Sequence, residues 1–125
     1  FTGSLSTSGG TALKPLNLFP YYEHLVKQRT KSASLRLGDQ TRKYLVGDRI
    51  DIRIGWYPSR SWSIASAEVT QVSVKSIGDL LPDDLVGESP DCSRPEAVRY
   101  VLSAIYRRVV SERDAVTIIR WRLTD

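Results

Sequence analysis

Ile50, Ile52 and Ile54 alternate with Arg49, Asp51 and Arg53, a two-residue period that predicts a strand with one buried face. Gly47-Asp48, just before it, reads as a tight turn between extended segments. Residues 64–77, IASAEVTQVSVKSI, are also extended. Their apolar parity changes from Ala65, Ala67 and Val69 to Val72 and Val74, which predicts a bulge or a barrel corner. Residues 32–37 place Ala33, Leu35 and Leu37 on one face and Ser32, Ser34 and Arg36 on the other. LNLF, residues 16–19, reads as a short strand. AVTIIRWRLT closes the chain as a strand, with Ile119, Trp121 and Leu123 opposite Arg120 and Arg122.

Two segments carry the helical period instead. PYYEHLVKQR starts with Pro20 at a first turn and buries Tyr22, Leu25 and Val26. The second helix has Ser93 as N-cap, Pro95 in the first turn and Glu96 three residues after the cap. It is expected to run to about Val110 with Val98, Val101, Leu102, Ile105 and Val109 as its apolar stripe. YPSRSWS, and the acidic GDLLPDDLVGESPD with a short helical turn, are loops. Residues 1–15, rich in Gly, Ser and Thr, read as a flexible arm or linker before a domain spanning 16–125. Several strands, two helices and no Gly-rich phosphate loop predict an α+β domain around a small curved sheet or barrel.

Composition narrows this. A chain of 125 residues, 41% hydrophobic and 26% charged, suits one globular domain. No window nears the roughly 18 apolar residues of a membrane span, and the start does not resemble a signal peptide, so no membrane partner is expected. A single cysteine fits a reducing compartment, and the expected location is cytoplasmic. One His and one Cys are too few for a zinc site; no metal or cofactor is expected. The absence of methionine suggests a processed or excised piece. Charge is uneven. Residues 27–53 hold eight Lys or Arg against three Asp, whereas 76–91 hold four Asp and one Glu without a basic residue. A net +4 carried by 13 Arg and 5 Lys suits a phosphate-bearing partner, although surface arginines also keep a small protein soluble.

FPYYEHLVKQRTKSASLRLGD, then RKYLVGDRIDI, then SAEVTQVSVKSIGDL, followed by a helix and a closing strand, resembles an ASCH domain from about Leu16 to Leu123. The resemblance is carried by a helix leading into K-x-x-(T/S)-x-R, here Lys31, Ser34 and Arg36, and by the following Gly47-Asp48. It implies a PUA-like β-barrel with two flanking helices that binds RNA, or a nucleotide or nucleoside ligand, in a cleft beside this motif. Arg36 would hold a phosphate or carbonyl oxygen and Lys31 would add a point charge. Lys31 has the wrong parity for the cleft unless the chain bends before the strand. Arg36 could instead pair with Asp39 or Asp48 and pin the turn.

A second reading also follows from the resemblance. Some ASCH proteins are amidohydrolases of N4-acetylcytidine that use a Lys, a Thr and a Glu. Lys31 matches the first, Ser34 replaces the Thr with another hydroxyl, and Glu88 matches the acid, with Glu96 as fallback. Trp56, Tyr57 and Trp62 surround Arg60, and Arg60 and Trp62 are expected to contact bases by stacking. Trp121 is expected in the core, and neither His24 nor Cys92 has the neighbours of a catalytic group.

Overall fold

The computed structural model describes residues 13–55 and 60–124. Residues 1–12 of the expected arm, together with Trp56 and Tyr57, lie outside the described residues. Five strands, β1 (Lys14–Leu18), β2 (Ala33–Leu37), β3 (Arg49–Ile54), β4 (Trp62–Ser76) and β5 (Ala115–Leu123), form one sheet in the order β1-β3-β4-β5-β2. β1 runs parallel to β3 and the other pairings are antiparallel. The sheet curls into a half-barrel flanked by α1 (Glu23–Lys27) and α2 (Pro95–Tyr106), an α+β small barrel. β1 begins at Lys14, inside the stretch read as arm; Pro15 is tolerated there because β1 is an edge strand.

The isoleucine alternation does what its period predicts: Ile50, Ile52 and Ile54 are fully buried, with Leu16 opposite Ile52 and Leu18 opposite Ile54. The parity change in β4 is a real bulge, a register shift against β5 between Val69 and Gln71. A second shift, between Ile52 and Arg53, adds to the curl.

β5 separates two cores. Ile119 and Trp121 pack inside the half-barrel with the β3 isoleucines and with Leu25 and Val26 of α1. Val116 and Ile118 pack on the other side, against Val98 and Leu102 of α2 and against Leu80 and Leu85. Both faces of the strand are covered, which explains the nearly unbroken apolar run at 115–119. Trp121 is core, as expected.

Both helices end earlier than their sequence periodicity suggests. The first begins as a 3₁₀ turn over Pro20–Tyr22 and finishes at Lys27, after which Arg29 adopts φ 63°. Thr30 N–H then donates back to the Leu25 carbonyl, a Schellman-type closure. α2 ends at Tyr106 because Arg107 turns left-handed at φ 54°. Val109, assigned to the buried stripe, is therefore exposed and Val110 is buried in its place. Ser93 is not the cap. Arg94 holds that position without a side-chain bond, and the Ser93 hydroxyl donates to the Pro90 carbonyl. The acidic stretch forms three short 3₁₀ turns.

Asp48 and Asp84 each staple a turn. Asp48 pairs with Lys14 and accepts the Leu45 N–H; Asp84 pairs with Lys75 and accepts the Leu81 N–H. Partial burial alone would raise both carboxyls, but the lysine and the amide outweigh it and hold each below the ordinary aspartate value. A lowered folded value contributes stability that is present above the unfolded pKa and lost as pH falls through the folded one. We expect the melting temperature to fall as the solution is acidified below about pH 4. Asp84→Asn should be less stable than wild type at neutral pH and lose less on acidification, which thermal melts across that range will check.

Candidate functional site

β1 and β2 are the two ends of the sheet, and the half-barrel leaves them unpaired with each other. A cleft lies at this seam. It is lined by Asn17 and Leu18 of β1, Ser34 and Arg36 of β2, Tyr22 before α1, Lys31, Glu88, and Cys92, Ile105 and Tyr106 on the α2 side. Its cavity measures about 30 Å³, room for about two water-sized groups.

The closure of α1 explains how Lys31 arrives there. Arg29 in the left-handed region turns the chain, and both Thr30 and Lys31 N–H groups donate to the Leu25 carbonyl. This bend before β2 supplies what strand parity denied. The Lys31 side chain is 3% exposed; its Nζ donates to the Ala33 carbonyl at 2.8 Å, pairs with Glu88 and sits 5.0 Å from the centre of the Tyr22 ring.

Glu88 reaches Lys31 across 57 residues because the turn that carries it is seated on the free edge of β2. The Gly87 carbonyl accepts the N–H groups of Ser32 and Ala33, and Glu88 Oε2 accepts the N–H of Leu35 at 3.1 Å. Glu88 Oε1 also accepts the Ser89 N–H and hydroxyl. Arg120 clamps the same turn from β5 by donating to the carbonyls of Asp83, Asp84 and Val86. Gly87 is obligatory: φ is 87°, and a Cβ there would lie 2.6 Å from the Ser32 hydroxyl. Glu96, the fallback acid, is exposed on α2 and does not line the cleft.

Ser34 and Arg36 share a face, as their spacing predicts, opposite Ile119 and Thr117 of β5. Arg36 Nη2 donates to the Asn17 carbonyl at 2.8 Å and so ties β2 to β1 across the seam. The two aspartates considered as its partners are engaged elsewhere: Asp39 accepts from Thr41, and Asp48 from Lys14 and Leu45. Ser34 is only 5% exposed and lines the cleft wall.

Two expected contacts fall elsewhere. Arg60 and Trp62 do not line this cleft. Trp62 is the half-exposed first residue of β4, not part of a loop, and its pleat sets its direction. Conversely, Asn17, Tyr106, Arg120 and Gly87 escaped the sequence reading. Only Gly87, a glycine beside a candidate acid in a turn, left a local signal. Tyr106 joins the site because its hydroxyl oxygen accepts the Leu37 N–H at the edge of β2. Cys92 is a buried thiol on the cleft wall.

No protein-family model matches the sequence, and neither does any curated protein. Solved structures do match in shape. An ASCH domain from Lactobacillus crispatus JV V101 aligns with TM-score 0.57 at 17% identity, covering 82% of this chain and 70% of that one. Protein EF3133 from Enterococcus faecalis V583, assigned to DUF984, aligns with TM-score 0.64 at 15% identity, covering 92% and 82%. The hypothetical protein PH0355 aligns with TM-score 0.65 at 18% identity, covering 90% and 100%. At these identities the likeness establishes the fold, and that fold is ASCH-like.

Two outcomes test the geometry. Gly87→Ala is expected to destabilise by about 1–3 kcal/mol, because a side chain must take a left-handed conformation against Ser32. Lys31→Met and Glu88→Gln should each cost about 3–5 kcal/mol in denaturant unfolding, and the double variant clearly less than their sum, since each single change strands a buried polar partner.

Proposed function

We propose that the seam cleft binds one polar group of a nucleotide or of an unpaired RNA nucleotide, with Arg36, Ser34 and Lys31 as its contacts. The observation that carries this reading is the cleft wall itself, where the hydroxyl residue Ser34 stands with two cations, Lys31 and Arg36. A hydroxyl on a cleft wall can donate to or accept from a polar ligand group. Lys31 pairs with Glu88, and Arg36 is the second cation on the wall, of a kind that can hold one anionic or carbonyl oxygen. A cavity of about 30 Å³ takes such a group but not a whole base, which would lie at the rim against Tyr106. The net charge of +4 favours a polyanionic partner.

The contact between Lys31 and Glu88 favours a second reading, a hydrolase of an acylated nucleoside such as N4-acetylcytidine. Ser34 would attack the acyl carbon, and the Lys31–Glu88 pair would relay its proton to the leaving amine. Water would then release the acyl group from Ser34.

The binding reading is tested by titrating the protein with a mononucleotide and with a short single-stranded RNA at two salt concentrations. Affinity for the RNA should fall with salt, and Arg36→Ala should weaken both ligands by about tenfold or more. Affinities unchanged in Arg36→Ala would overturn the cleft as the binding site. Release of acetate from N4-acetylcytidine that disappears in Ser34→Ala would establish the second reading.

A further inference from the structure

We propose that the turn Leu45–Asp48 is a tip that touches surfaces rich in anionic lipid. Leu45 and Val46 are 55% and 65% exposed. They occupy the first two positions of a β-turn closed by the Asp48 N–H donating to the Leu45 carbonyl at 3.0 Å. Gly47 takes φ 93° while Val46 keeps a negative φ, so the turn is type II. Turn chemistry needs Gly47 and Asp48, yet nothing in it calls for aliphatic side chains at 45 and 46.

The tip is rigid. Asp48 Oδ2 accepts the Leu45 N–H, the Gly47 N–H donates to Val69, and the Val69 N–H donates to Asp48. On one side Tyr44 is buried and its hydroxyl donates to Pro15; on the other Ile50 is buried. A Cβ on Gly47 would meet nothing within 4 Å, so the turn projects into open space. Two aliphatic side chains are thus held outward without the ordering cost that a mobile loop would incur on contact.

Charge decides what the tip meets. Arg42, Lys43 and Arg49 are exposed around its base. Among the acids nearby, Asp48 is taken by Lys14, and Asp39 bonds Thr41 and feels Arg42. Glu68, directly across from Arg49, is bridged to Arg122. Lys43 and Arg49 remain as surplus cations. An aliphatic pair has no ring on which a nucleic-acid base could stack, and a second copy would bring these cations against their own kind. An anionic bilayer surface accepts both parts, methyl groups at the acyl boundary and cations among the headgroups. Among the described residues no helix could cross a membrane, and this contact needs none. It is invisible to a search for long apolar runs because it is two residues long and made by a turn.

The test sediments the full chain with vesicles of phosphatidylcholine alone and of phosphatidylcholine mixed equally with phosphatidylglycerol. Pelleting is expected with the anionic vesicles only, weakening at high salt. It should drop by about tenfold in the Leu45→Ser/Val46→Ser variant and also fall in Lys43→Gln/Arg49→Gln. Melting temperature should stay close to wild type in both, and Arg36→Ala should pellet normally, which separates this surface from the cleft. Absence of pelleting with anionic vesicles, or pelleting unchanged in the Leu45→Ser/Val46→Ser variant, overturns the proposal. So does a self-association, lost in that variant, that occurs without any vesicle binding.

Discussion

A sheet that curls without closing must satisfy the amides of its last strand by some means other than another strand. In this chain the free edge of β2 is met by the Gly87 carbonyl, the Glu88 carboxylate and the Tyr106 hydroxyl, which accept N–H groups of Ala33, Leu35 and Leu37. A strand in that place would have filled the seam. Single side chains and one short turn leave a hole beside them, and the cleft is that hole. The buried Lys31–Glu88 pair holds the arrangement, because the carboxylate serving the strand edge would otherwise be a lone buried charge.

The seam depends on both cores at once. Lys31 is delivered by the way α1 closes over Leu25, and Leu25 is anchored inside the half-barrel. Tyr106 is delivered by α2, whose Val98 and Leu102 are anchored in the outer core. β5 joins the two, because alternate residues of this strand face opposite cores and Arg120 holds the turn that carries Glu88. Loosening either core would therefore shift one wall of the cleft relative to the other.

The same geometry also limits the chemistry. With Lys31 and Glu88 joined, the cleft wall also carries Arg36 and the Ser34 hydroxyl, surrounded by apolar side chains of α2 and the Tyr22 ring. That combination discriminates by shape and by hydrogen-bond donors more than by bulk electrostatics. It separates the cleft from the exposed arginines of the rest of the chain, whose contribution to any polyanion is long-ranged and screened by salt.

Local periodicity determined a large part of this fold. The β3 isoleucines, the β4 parity change and the pairing of Ser34 with Arg36 on one face follow from the two-residue repeat of a pleated strand, which holds whatever the strand packs against. The order of the blocks around them, with Lys31, Ser34 and Arg36 as the motif, also resembled the family whose fold this one is like. Helix ends were not legible, since Arg29 and Arg107 adopt left-handed conformations that glycine usually marks. Only the tertiary structure decided which polar side chains meet. Arg36 bonds a backbone carbonyl of the opposite edge strand, and Trp62 takes its direction from a strand that begins two residues earlier than the loop reading allows. A strand's pattern is set by its own residues, whereas a contact across a seam is set by the curl of the whole sheet.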